Sequence, residues 1–399
     1  MLLAITIAIL AGIVAGTITG MTPGIHINLV ALILLSLVQA TNLNPLYAIM
    51  FILVMATTHT FIDFIPSVFL GAPDPSTVLS VLPGHKLLFE GKGFEAIMIS
   101  VYGSIIGLLA IIFLTPFIIK AIPPLYNIIE RFIPYILVLA VILIISKERS
   151  KTIAILIFLM SGCLGLGVLN INLSQPLFPL LSGLFGTSGL LLSLKDNVKL
   201  PKQKFTYPKI NNYQYKVLGS GFIASLLTGF LPGLGAAQAA IIGSSVLKKT
   251  KPTDFIFLTG TINTMVMIIG LIAFITINKT RNGAIVVISK LIPSLNIDTT
   301  LLLIGTVLVA GGISSFLAIL LAKHFTKIIQ HVNYRLLCIS IILFITFLVF
   351  ILTSWLGLFV LLVSTATGIL PPLLGVQRNN LMGCLIIPVT LFFIFSSTV

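Results

Sequence analysis

Asp63 is the one acidic residue of this 399-residue chain that falls inside a long apolar run, and His59 lies four positions before it. In a helix that spacing puts both side chains on one face. A carboxylate at the centre of a membrane helix costs about 2.5 to 3.5 kcal/mol on insertion scales, so such residues mark ion or proton pathways. Imidazole and carboxylate together can hold and pass a proton. The competing reading places Asp63, three residues before Pro66, at a hydrated helix end. Around the pair, residues 56 to 63 read Ala-Thr-Thr-His-Thr-Phe-Ile-Asp and residues 260 to 264 read Gly-Thr-Ile-Asn-Thr, so His59-Thr60 matches Asn263-Thr264. Hydroxyls and amides in apolar helices bond across to neighbouring helices, or their oxygens ligate Na⁺. Thr58, His59, Thr60, Asp63, Thr261, Asn263 and Thr264 are the candidate ion-coupling residues. The expected coupling ion is Na⁺ or H⁺, with no transition metal and no other cofactor.

The second constellation is a broken helix that occurs twice. Thr19-Gly20-Met21-Thr22-Pro23-Gly24 returns 209 residues later as Thr228-Gly229-Phe230-Leu231-Pro232-Gly233. Aligned without gaps, residues 12 to 36 and 221 to 245 are identical at nine of 25 positions. Pro23 and Pro232 remove a backbone donor and clash with the preceding turn, while Gly24 and Gly233 tolerate strained dihedrals. The arm after each break presents unpaired N–H groups and a positive dipole end, which favour an anion by roughly 0.3 to 2 kcal/mol per terminus. A kink used only for packing is the plainer reading of one such motif, and duplication favours a binding site. Thr22, Pro23, Gly24, His26 and Asn28 at the first tip, with Pro232, Gly233, Gly235 and Gln238 at the second, are the candidate substrate-binding residues for a small anion.

Both constellations need a membrane around them. The chain is 58% hydrophobic and 8% charged, with a mean hydropathy of +1.19, which excludes a soluble globular protein. Continuous apolar stretches such as 96 to 119 exclude a transmembrane barrel, whose strands alternate. The expected fold class is an all-α polytopic membrane protein. A formal charge of +14 does not argue for nucleic acid, because the Lys and Arg residues lie in short inter-helix loops. Residues 1 to 18 are as hydrophobic as a signal peptide but lack a basic start and a small-residue cleavage site, so a retained helix is expected. Cys163, Cys338 and Cys384 lie in apolar runs without metal-ligand spacing and are expected to pack as small side chains. No H-E-x-x-H, P-loop, G-x-S-x-G or CxxC is present, which disfavours an enzyme, a membrane-embedded hydrolase being the residual alternative.

The arms beside each Pro-Gly are short. Residues 24 to 40 would extend about 25 Å as helix, against a hydrocarbon core of about 30 Å. They read as re-entrant hairpins of half-helices, alongside about ten full transmembrane helices. The second hairpin is flanked by Lys195, Lys199, Lys202, Lys204, Lys209 and Lys216 and by Lys248, Lys249 and Lys251, which places its ends in the cytoplasm by the positive-inside tendency. Alternate threading then leaves only Lys120, Arg131, Lys279, Arg281 and Lys290 outside, out of 23 Lys and Arg. The hairpins therefore enter from opposite faces, as an inverted-topology repeat requires. The expected organisation is a first half over residues 1–194, a cytoplasmic Lys-rich linker over 195–216 and an inverted second half over 217–399, in the plasma membrane. Glycine-rich faces would suit a homodimer.

These motifs resemble the large multispanning permease subunit of the tripartite tricarboxylate transporters, the TctA-like family. Its glycine-rich helix ending in Pro-Gly is matched by Gly12, Gly16, Gly20, Pro23 and Gly24, and again by Gly229, Pro232, Gly233 and Gly235. Its L-G-x-P-G segment is matched by Leu70-Gly71-Ala72-Pro73-Asp74, with Asp74 in place of the second glycine, followed by Thr77-Val78-Leu79 and Lys92-Gly93-Phe94-Glu95-Ala96. The segment from Leu177 to Leu192 is loosely similar to its central part. The resemblance implies ion-coupled uptake of a small organic anion, a carboxylate, with an extracytoplasmic binding protein and a small membrane subunit as partners. The alternative is a translocase of a polyprenyl-phosphate or other lipid-linked phosphate, since a family of those also uses Pro-Gly tips after glycine-rich helices.

Overall fold

A computed structural model describes residues 2–22, 27–40, 43–72, 76–129, 132–146, 148–173, 175–195, 200–209, 212–229, 235–247, 250–280, 282–292, 296–330 and 333–396. They form helices α1 (Leu2–Met21), α2 (Ile27–Ala40), α3 (Pro45–Ile62), α4 (Val81–Phe89), α5 (Gly93–Ile129), α6 (Ile133–Ser146), α7 (Lys151–Leu169), α8 (Leu177–Leu181), α9 (Ser188–Lys195), α10 (Tyr213–Gly229), α11 (Ala236–Val246), α12 (Pro252–Ile277), α13 (Gly283–Leu291), α14 (Ile297–Ile329), α15 (Tyr334–Leu373) and α16 (Gly383–Ser396). A π-helical turn at Pro66–Leu70 follows α3, and another at Ser182–Thr187 joins α8 to α9. Asparagines start several helices: the side chains of Asn44, Asn282 and Asn296 accept from the N–H groups of Leu46, Ile285 and Thr299 at 2.9, 2.9 and 2.8 Å.

Nine helical segments among the described residues are long and apolar enough to cross a membrane. The 40 residues of α15 would extend about 60 Å, twice the hydrocarbon core. Ser354, at φ 57° and ψ −160°, breaks that helix into two segments of ordinary crossing length. With it the count comes to the expected ten or so. α2, with 14 residues, and α11, with 11, are too short to cross alone at about 1.5 Å per residue.

Small residues bring the helix axes together. A Cβ at Gly12 or Gly20 would lie 2.8 Å from the Cβ of Val54 or Ile62, and one at Gly16 would lie 2.5 Å from the Met55 carbonyl, so this i, i+4, i+8 ridge seats α1 against α3. On its other side α1 exposes Leu3, Ile7, Leu10, Val14 and Ile18, an apolar stripe suited to lipid. Gly103 and Gly107 of α5 face Phe257 and Thr261 of α12, and Gly260 faces Ser100. Ser104 and Thr261 add cross-helix bonds to the carbonyls of Gly260 and Gly103, each at 3.1 Å. Cys338 and Cys384 are buried in packing as expected, but Cys163 is exposed, because it lies on the face of α7 opposite Gly162 and Gly165.

The packing is reciprocal. α5 lies along α12 and α14 along α3; α4 touches α12 and α13 touches α3; the turn at Val78–Ser80 meets α11, and α13 meets α2. Helices from before and after residues 195–216 thus pack against each other in matching pairs. Residues 200–209 run as an extended strap over the corner between α4 and α5. The Gln203 amide, 4% exposed, donates to Leu88 O at 2.9 Å and accepts from Gly93 N–H at 3.0 Å, while Lys204 N–H bonds Gly91 O at 2.8 Å. Gln330, past the end of α14, reaches the Gln203 carbonyl at 3.3 Å.

Candidate functional site

The last turn of α3 and the middle of α12 meet at Asp63. This carboxylate is 1% exposed, so the hydrated helix end is not what the structure shows. Its Oδ2 accepts from Asn263 Nδ2 at 2.8 Å and from Ser76 Oγ at 3.0 Å, and His59 Nε2 stands 3.9 Å away. Asn263 Nδ2 also approaches Thr60 O at 3.4 Å. Two donors on one carboxylate oxygen, with the His59 ring close by, offset part of the cost of burying a charge there.

His59 is oriented from its other nitrogen. Nδ1 is 3.1 Å from Thr19 Oγ1, and that hydroxyl donates to Gly16 O at 3.2 Å. With its own proton so engaged, Thr19 accepts from His59 Nδ1–H, an arrangement that favours the Nδ1 tautomer of a neutral ring. The row Thr19, His59, Asp63, Asn263 runs from α1 through α3 to α12. The cluster is buried between these helices.

The remaining coupling candidates divide. Thr58 accepts from Ser314 Oγ of α14 at 2.9 Å, and Thr261 faces α5. Thr60 bonds the Thr57 carbonyl at 2.8 Å and Thr264 the Gly260 carbonyl at 3.4 Å, each within its own helix. Thr58, Thr60, Thr261 and Thr264 thus have structural partners, and His59, Asp63 and Asn263 form the cluster. No group of three His, Cys, Asp or Glu placed to hold a metal occurs among the described residues.

Of the tip candidates, Pro23, Gly24, His26, Pro232 and Gly233 lie outside the described residues, as does the side chain of Asn28. The helices on either side end at Met21 and Gly229 and restart at Ile27 and Ala236, bracketing both Pro-Gly pairs. Thr22 continues α1 by one bond, its N–H to Ile18 O at 3.0 Å. Gln238 is buried, and its Oε1 accepts from Gly235 N–H at 3.0 Å. That amide oxygen therefore satisfies one of the donors at the start of α11, a capping role that the sequence reading had left to a ligand.

Sequence reasoning missed Thr19 and Ser76 as members of the cluster. Thr19 carried a signal, as one of the nine repeated identities. Ser76 lies in the segment after Pro73-Asp74-Pro75, and nothing in its spacing links it to a residue thirteen positions earlier.

Long apolar helices enclosing a buried polar cluster define a polytopic integral membrane protein. The tripartite tricarboxylate transporter TctA family matches residues 6–383, nearly the whole length, and the chain belongs to this transporter family. A protein of Methanocaldococcus jannaschii, described as "Uncharacterized protein MJ1079", is 33% identical over 402 residues, which cover 97% of this chain and 98% of the relative. No solved structure matches.

Proposed function

We propose that the chain is a proton-coupled permease for a small organic anion, a carboxylate, held by the half-helix ends that follow the two Pro-Gly pairs. The proton is carried by His59 and Asp63. The observation that supports this reading is the Asp63 carboxylate, 1% exposed and bonded to Asn263 across the junction of the halves. The described hydrogen-bond partners of Oδ2, Asn263 Nδ2 and Ser76 Oγ, are donors, which supports H⁺ over Na⁺ as the coupling ion, since a Na⁺ site gathers oxygen acceptors. Residues 1–194 and 217–399 act as the two moving halves, joined by 195–216, with protonation of Asp63 loosening its bond to Asn263. In this reading an extracytoplasmic binding protein and a small membrane subunit complete the transport system, as the family's tripartite name suggests.

The test is uptake of labelled citrate and succinate by proteoliposomes under an imposed pH gradient and, separately, under a Na⁺ gradient. A pH gradient is expected to drive accumulation. Asp63→Asn should abolish accumulation while leaving counterflow exchange, and Gly24→Leu or Gly233→Leu should abolish both while membrane insertion persists. Accumulation driven by Na⁺ alone would overturn the proton assignment. Competition by a polyprenyl phosphate, with no uptake of carboxylates, would give the tips to lipid-linked phosphate.

A further inference from the structure

Away from Asp63, a cavity of about 300 Å³ opens between α4, α9 and the 3₁₀ turn at Arg378–Met382. Arg378 lines it and is 5% exposed. Its one hydrogen bond among the described residues is a long one, from Nη1 to Phe185 O at 3.4 Å, and its Nε has no partner. No described carboxylate pairs with it. Glu148 is taken up by the residues flanking Arg378: Oε1 accepts from Asn380 Nδ2 at 2.8 Å and from Gln377 N–H at 3.2 Å. Those bonds hold the turn on both sides of Arg378, whose guanidinium lines the cavity with no counter-charge among the described residues.

Opposite it stands His85, whose Nε2 is also buried without a partner. Room for the ring comes from Gly71 at φ +64°, where a Cβ would lie 2.6 Å from His85 Cε1. Lys86, on the same wall, adds a second positive charge, and Gly186, Gly189 and Ser193 leave the far wall small. A buried, unpaired guanidinium is costly for the fold, and a bidentate oxyanion is the group whose geometry matches its fork.

We infer that this cavity is a second anion site, in which the fork of Arg378 and the Nε2 of His85 grip a carboxylate or phosphate group. It goes beyond the transport reading and does not depend on it. The shared chemistry is a compact oxyanion, supplied either by a free ion or by a phospholipid headgroup.

The test is the thermal stability of the purified full-length protein against inorganic phosphate and succinate in detergent, and in nanodiscs of phosphatidylcholine with or without phosphatidic acid. The expected result is a rise in melting temperature of several degrees that Arg378→Gln removes. Gly189→Ala serves as the second variant: its methyl would lie 3.1 Å from Arg378 Nη1, narrowing the cavity against a flexible side chain, and it should weaken the rise at least tenfold in ligand concentration. The imidazole ¹⁵N signals report locally, since with five histidines in the chain the His85 signal is identified by its loss in His85→Gln and should move on ligand addition. A response to phosphate or succinate assigns a free ion, and a response to phosphatidic acid alone assigns a headgroup; either supports the site. A rise that persists in both variants, or a His85 signal that no ligand moves, overturns it. Loss of uptake in wild type with an intact Arg378-dependent rise would reject the transport reading and leave this one standing.

Discussion

At the scale of single residues, apolar context made the cluster legible. A lone carboxylate in a hydrophobic run stands out, and its i, i+4 histidine follows by helix geometry, so Asp63, His59 and Asn263 could be named before any coordinates. The threonines beside them were equally conspicuous, but Thr60, Thr261 and Thr264 bond backbone carbonyls, as hydroxyls in apolar helices commonly do, and Thr58 pairs with Ser314. Arg378 and His85 were not legible, because their meeting depends on how α4 packs against a turn almost three hundred residues later. His85 lies outside the nine candidate spans, and burial, with the Arg378 charge as the lesser cause, lowers its pKa from 6.5 to about 4. A histidine depressed in this way is neutral when folded and takes up a proton on unfolding. Stability should therefore fall as pH drops below about 6.5 and level off below about 4. Melting curves between pH 8 and 4 check this, and His85→Gln should flatten the slope.

At the scale of elements, continuous apolar stretches located the helices, and the break at Ser354 divides the 40-residue α15 into two segments of ordinary length. The glycine ridge of α1 was visible as a motif, but its partner was not, since any apolar helix satisfies that spacing. Gly16→Ala drives a methyl into the Met55 carbonyl and should lower stability by about 1 to 3 kcal/mol, read as a fall in melting temperature, while the same change at Gly167, which meets nothing, should be tolerated. Ser354 holds backbone angles natural only to glycine, so Ser354→Gly should stabilise by about 1 kcal/mol in the same assay. A loss of stability instead would show that the Ser354 side chain supports the break.

Over the whole molecule, a duplicated motif and the distribution of Lys and Arg were enough to expect two related halves. Neither disclosed that the linker is fastened down, because a hydrophilic stretch rich in Lys, Asn and Pro reads as loose until Gln203 is seen buried against Leu88 and Gly93. Lys202, beside it, is exposed. Lys202→Cys in a Cys163→Ser background should react with a membrane-impermeant maleimide in inside-out vesicles only. Labelling in intact cells would reverse the orientation assigned to both halves.

α3 packs along α14 and α12 along α5, so α3 and α12 hold matching places in these reciprocal contacts. Their chemistry has diverged: α3 brings the acid and the imidazole, and α12 answers with a neutral amide. On the proposed proton-coupled reading, a protonation event at Asp63 is felt first by α3 and reaches α12 only through Asn263. Transport built on that relay would be lopsided, its inward-facing and outward-facing forms not mirror images.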